Sequence, residues 1–275
     1  VPFDGFRAGE DRHAERADYI IRMDLADLAW PAVAALDRRT PVVFPIAALE
    51  QHGHHLPVFT DSLLLGEIVR RVRLAPVAGR VLFAPLLWLG NSHHHLDMPG
   101  TLSASPRVYL DLLHDLAGNV LAHGFTHVAF VNGHGGNTGP AQQALFELRQ
   151  KHRDRRGLLL TSLTYWDAAD PTREIPDLPQ RQMGHACQWE TSMVLRLAPH
   201  LVAGDVTRVP EVPFGTGAGP GYRGWTMADR SEPGHIGVPA AASAELGEEL
   251  FDVFARGVGA WLERLVAWDG RGWDV

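Results

Sequence analysis

The chain has 275 residues, with 25 Lys and Arg against 32 Asp and Glu, a formal net charge of −7 at pH 7 with histidine neutral. That balance argues against a nucleic-acid backbone as partner, and 45% hydrophobic with 21% charged residues is the composition of an ordinary soluble globular protein with ample chain for a core. The lone cysteine, Cys187, excludes an intrachain disulfide and fits a reducing cytoplasm, while the absence of any membrane-length apolar stretch or signal-peptide pattern leaves no membrane partner to expect.

The first strong pattern is the apolar run 41–46, a strand candidate, followed at once by Glu50-Gln51-His52 and then Thr60-Asp61. Two carboxylates and an imidazole within twelve residues form a donor set that suits zinc, manganese or iron. In extended backbone Glu50 and His52 point to the same side. A helix over 61–73 follows, so Asp61 reads either as its N-cap or as a ligand that the helix N-terminus keeps ionised.

A second strand is expected at Val81-Leu82-Phe83-Ala84, followed by His93-His94-His95, of which His95 is the one expected to line a pocket or orient a loop. Ser105-Pro106, a capping residue then proline at the first helical position, opens a helix over 106–123 that closes at Gly124. The strand Val128-Ala129-Phe130-Val131 leads into Asn132-Gly133-His134-Gly135-Gly136-Asn137. Its glycines allow close backbone approach, but it lacks the lysine and Ser/Thr of a phosphate loop. A helix over 138–152 and the strand Leu158-Leu159-Leu160-Thr161 come next.

Residues 167–184 and 204–236 read as long Pro/Gly-rich loops of the kind that build a pocket rim or a subunit contact. Between them a helix over 187–198 places Glu190 on a face with Ala186, Met193, Val194 and Leu197. A carboxylate on an apolar stripe needs a partner: an arginine is one reading, a metal cation the other. Cys187 is two residues from His185, the wrong helical offset for a nucleophile and its base, and reads as a small buried hydrophobe. The last helix is expected over 240–267.

Continuously apolar strands separated by helices imply an α/β protein: one domain over 1–275, its mostly parallel sheet flanked by helices on both faces. In such sheets the ligand crevice lies beyond the carboxyl ends of the strands. Glu50 and His52 follow the first strand and His134 the third, so parallel strands would bring them together.

These segments together resemble the creatininase (creatinine amidohydrolase) family, over about 41–255 and in unchanged order. The matching pieces are Leu49-Glu50-Gln51-His52-Gly53 with Leu56-Pro57 and Thr60-Asp61, His95 with Pro99-Gly100-Thr101, Asn132 to Asn137, Tyr165-Trp166-Asp167, His185 with Glu190-Thr191-Ser192, and Gly237-Val238-Pro239 with Ala242-Ser243-Ala244-Glu245. The resemblance implies a single α/β domain, two divalent metal ions, often zinc with manganese or iron, and closed homo-oligomers, commonly hexamers. It also implies that Glu50, Asp61 and His134 hold one metal and His52 the second, with Asp61 bridging, and that His185 is a catalytic histidine. In creatininase itself the remaining ligand is a glutamate at the place of Gly136, for which Glu190 is the substitute nearest at hand. Trp166 keeps one of two substrate-closing tryptophans, and Arg181 stands where the second would be and offers a partner for an anionic group. The Gly-His-Gly-Gly-Asn version is typical of relatives acting on ring-opened purines, peptides and oxidised inositols rather than on creatinine.

Three functions follow as expectations. The first is hydrolysis of a C–N bond in a small cyclic or linear amide, with Trp166 as an apolar wall and His185 shuttling a proton. The second is C–C cleavage of a cyclic polyhydroxylated diketone, of dehydro-inosose type, with His93, His94, Arg181 and Arg223 as a polar rim. The third is a metal-bound binding protein without turnover.

Overall fold

The computed structural model describes residues 23–215 and 221–272. Five strands, β1 (Met23–Asp24), β2 (Val42–Ile46), β3 (Leu82–Phe83), β4 (His127–Asn132) and β5 (Leu159–Thr164), form one sheet in the order β1-β3-β2-β4-β5. Every pairing in it is parallel, so the sheet is wholly rather than mostly parallel among the described residues. The edge strand β1 is only two residues long, too short for any hydrophobic period to show in the sequence.

The helices are α1 (Trp30–Ala35), α2 (Thr60–Val72), α3 (Pro106–Ala122), α4 (Thr138–Lys151), α5 (Pro171–Glu174), α6 (Gln188–Leu197) and α7 (Ala244–Ala267). As expected, Pro106 stands at the first turn of α3, where the Ser105 hydroxyl accepts from the Val108 N–H. α7 begins at 244 rather than 240, because the Ser243 hydroxyl caps it by accepting from Leu246 while 239–241 form a separate 3-10 turn.

Strand residues alternate between two apolar layers, as the period of two requires. Val43, Ala129 and Val131 pack with α2, α6 and α7, whereas Val42, Phe44, Val128 and Phe130 pack with α3 and α4. With both faces covered, β2 and β4 are buried throughout, which is why they read as unbroken apolar runs. Adjacent parallel β2 and β4 place Ile46 opposite Asn132, so the chain leaves both strands at the same edge of the sheet.

Candidate metal centre

Beyond that edge the segments after β2 and β4 fold down onto the N-terminal turn of α2. Gly133 lies against α2 so closely that a Cβ there would come within 2.9 Å of the Leu65 Cβ. Asn132 fixes the turn from both sides: its amide donates to the His134 carbonyl at 2.7 Å and its Oδ1 accepts from the His134 N–H at 3.0 Å. Asn137 ties the same loop to the segment after β2 by donating to the Ala47 carbonyl at 2.9 Å.

Glu50, His52, Asp61, His95, His134 and Glu190 are thereby all buried together. The two Asp61 oxygens divide between the two imidazoles: Oδ1 is 3.2 Å from His52 Nε2 and Oδ2 is 3.1 Å from His134 Nδ1. Glu50 Oε1 lies 3.3 Å from His134 Nδ1, and Glu190 Oε1 lies 3.7 Å from His52 Nε2. Glu190 is in the first turn of α6, where its other oxygen accepts from the Cys187 N–H at 3.4 Å. Among the described residues no arginine pairs with Glu190, so the arginine reading of its apolar face falls away.

The tautomers follow from the neighbours. His52 Nδ1 sits 3.1 Å from the Glu50 carbonyl and His134 Nε2 sits 3.0 Å from the Asn91 carbonyl, so each donates there and turns its other nitrogen inward. His185 Nε2 donates to the Gln51 carbonyl at 2.8 Å, which leaves Nδ1 facing Glu50 Oε1 at 3.5 Å. The Gln51 amide donates to His95 Nδ1 at 2.7 Å and to the Gly234 carbonyl at 2.9 Å. His185 is pinned from the other side by the backbone pair His185–Ile236, and next to it Ala186 holds a φ of 47°, a left-handed value that costs a non-glycine residue on the order of 1 kcal/mol.

Electrostatics sort the imidazoles into two groups. Burial would neutralise His134, but the charges of Glu50 and Asp61 outweigh it and raise its pKa to about 10; Asp61 and Glu190 likewise hold His52 well above its ordinary value against burial. Burial drives His185 well below the histidine range, and takes His95 to about 2 and His94 to about 4, with neighbouring imidazoles adding to the effect. Burial pushes Glu50 up, whereas for Asp61 the two histidines overcome burial and hold the carboxyl below its usual range.

A cavity of about 700 Å³ opens over this cluster. Trp166, which follows β5, and His95 line it. Arg181 does not line it. Its neighbour Gln180 is buried and bonded to Gln188 at the start of α6, which turns Arg181 out to solvent. Of the other rim candidates only His94 faces the cavity, while His93 and Arg223 are exposed outside it. The mouth is instead aromatic: Phe214, Tyr222 and Trp225 line it together with Arg230. None of these four carries a periodic or motif signal; they reach the site because 212–215 and 221–237 lie over it, with Val212 bridged to Gly237. A second groove of about 910 Å³ runs between α2, α6 and α7, but its central Arg71 is fully engaged by Glu67, Glu248 and Asp252.

A parallel sheet under a buried His/Glu/Asp cluster able to bind metal defines an amidohydrolase-type site, and the comparisons place it. The family profile described as creatininase, creatinine amidohydrolase, matches residues 26–262. The chain is 31% identical over 233 residues to the mycofactocin precursor peptide peptidase of Mycolicibacterium smegmatis, covering 81% of this chain and 84% of the relative. It is 29% identical over 235 residues to the creatinine amidohydrolase of Pseudomonas putida, covering 79% and 86%. A solved structure titled "Creatininase Mn" superposes with a TM-score of 0.70 at 26% identity, over 88% of this chain and 98% of that one. The chain belongs to the creatininase family of hydrolases acting on C–N bonds.

Proposed function

We propose that this protein hydrolyses a C–N bond in a linear amide of peptide type, with two divalent cations in the buried cluster: one held by Glu50, Asp61 and His134, the other by His52, Asp61 and Glu190. The observation that carries this reading is a set of orphaned atoms. Glu50 Oε1 and Oε2, His52 Nε2 and Asp61 Oδ2 are all buried without a hydrogen-bond partner and converge on the same space. A lone buried carboxylate is costly, and buried charges persist where they are paired or coordinate metals. Mixed carboxylate and imidazole donors suit zinc, manganese or iron, and hydrogen bonds from the far nitrogens of His52 and His134 are the outer support that metal-bound histidines need.

Bound cations in such a site supply an activated water near neutral pH and polarise the substrate carbonyl. The chain's own groups do the rest. His185 is held neutral by burial, with its Nδ1 lone pair turned into the site, so it accepts a proton at that atom and delivers it to the departing nitrogen. His95 turns its Nε2 towards Glu50 Oε1, 3.4 Å away. Gln51 fixes the rings of both His95 and His185 through one side chain and the adjoining carbonyl. Trp166 gives the substrate an apolar wall.

The aromatic mouth favours an apolar peptide-like substrate over a polyhydroxylated diketone, which would want the polar rim that His93, Arg181 and Arg223 do not form. Large exposed apolar side chains, Trp30, Val108 and Phe146, suit burial against further copies of the chain, in keeping with a homo-oligomer, a hexamer by the family resemblance, in the cytoplasm. The test is turnover on a panel of short peptides and simple amides after chelation and after reloading with Zn²⁺ or Mn²⁺. Cleavage restored by metal is expected; no cleavage of any amide by fully loaded protein would overturn the reading.

A further inference from the structure

Among the described residues outside the metal cluster, one charged group faces the cavity without a counter-ion. Arg230 lines the mouth, its guanidinium carbon 4.6 Å from the centre of the Trp225 ring and its Nη2 donating to the Phe214 carbonyl at 3.1 Å. The ring contact and the single bond leave most of the five N–H donors of the guanidinium unused. Arg71, Arg173, Arg196, Arg208 and Arg256 each pair with a carboxylate, and Arg38 and Arg155 spend their donors on backbone carbonyls; Arg230, which faces the cavity, has no carboxylate within reach among the described residues. Partial burial already weighs against its charge and lowers its pKa.

Its position is tied to the reaction centre through a ladder of rings. Trp225 meets His94 edge-on at 4.9 Å, and His94 stacks on His134 at 5.7 Å with 13° between their planes. Arg230 therefore stands three ring contacts out from a proposed metal ligand, on the wall past which a substrate must run.

We propose that Arg230, presented on Trp225, is the specificity residue that binds a carboxylate of the substrate, so that the preferred substrates are amides carrying an anionic group beyond the cleaved bond. This rests on the amide-hydrolase reading above and adds the substrate class to it. A planar guanidinium matches a carboxylate with two parallel hydrogen bonds, and a carboxylate arriving there supplies the counter-charge that the fold withholds. The neighbouring Trp225, Phe214 and Tyr222 give an apolar or aromatic side chain next to that carboxylate a surface to rest on.

The test uses short peptides with free C-termini beside the same peptides as C-terminal carboxamides, with metal-loaded protein. Wild type should prefer the free acids about tenfold in kcat/KM, the worth of one charge-assisted pair in a half-open site, through KM rather than kcat. In Arg230→Gln that preference should collapse towards one, and Arg230→Lys, which keeps charge but not the planar fork, should retain only part of it. An equal preference for acid and carboxamide in wild type, or a preference that survives Arg230→Gln, overturns the proposal. Calorimetric titration with 3-phenylpropionate, which has a carboxylate and no amide, separates this claim from hydrolysis. Its Kd should weaken about tenfold in Arg230→Gln. If no peptide is cleaved yet that weakening is found, the hydrolase reading falls and the Arg230 site stands; an unchanged Kd removes the site.

Discussion

Glu190 Oε1 stands 3.7 Å from His52 Nε2, on a helix far along the chain from the loop that carries the histidine. The loop after β4 cannot supply that carboxylate. A Cβ on Gly136 would come within 2.2 Å of the Asn91 carbonyl oxygen and 2.5 Å of His134 Nε2. In this chain the position that the resemblance matches to a glutamate of creatininase has room for no side chain, and the carboxylate beside His52 comes from α6.

Gly136→Glu is accordingly expected to subtract rather than add. The new side chain must push apart Asn91 and His134, whose 3.0 Å bond aims the imidazole. Bound metal should fall and thermal stability should drop by a few degrees or more. A Gly136→Glu protein with full metal content and unchanged melting temperature would show that the glycine is not required by packing.

His185→Gln keeps a hydrogen-bonding side chain in the same pocket but removes the imidazole. Metal content should stay near that of wild type, while kcat falls by about 10²–10⁴ with little change in KM, the range for losing a general acid–base. Unchanged kcat would remove His185 from the mechanism and leave the metal centre standing.

Chelation should destabilise the folded chain, because cations bound by the folded cluster and not by the unfolded chain are removed. Cations present at several hundred times their Kd stabilise by roughly 3–4 kcal/mol, which in a chain of this size is about ten degrees of melting temperature. Differential scanning calorimetry with and without EDTA reads this directly. Equal melting temperatures would mean that the cluster holds no metal in the folded protein.

Acid sensitivity should arise in part far from the site, at His127. This residue begins β4, is buried, and meets Trp268 edge-on at 5.4 Å. Burial and then Arg39 lower its pKa to about 4, so between pH 6.5 and 4 the unfolded chain takes up a proton that the folded chain refuses. Stability from this group is whole above pH 6.5 and is lost as pH falls towards 4. The melting temperature of His127→Gln should therefore decline less steeply over that window than that of wild type; identical slopes would remove His127 as a source.

The four strand candidates and five helix candidates were legible because each is a local pattern: apolar runs in a sheet covered on both faces, and apolar helical spacing, opened by Ser105-Pro106 and closed at Gly124 for α3; the Ser243 cap that starts α7 at 244 was not read. Glu50, His52, Asp61 and His134 were legible because each follows a strand or opens a helix at one sheet edge. Glu190 showed itself as a carboxylate on an apolar stripe. What stayed hidden depends on long-range folding. Trp225 and Arg230 lie in an aperiodic loop and gain their meaning only from the cavity they line. Arg181 misled because chain position says nothing of direction, and the burial of Gln180 decides it. His94, a rim candidate, lies deeper than a rim position implies, with its ring near-parallel to that of His134 at 5.7 Å.

The most direct measurement is metal per chain, by elemental analysis, on wild type and on Glu190→Gln. Two metals per chain are expected for wild type, falling towards one in the variant while Glu50, Asp61 and His134 keep theirs. One metal or none in carefully handled wild type, or two that persist in Glu190→Gln, would contradict a binuclear centre completed from α6.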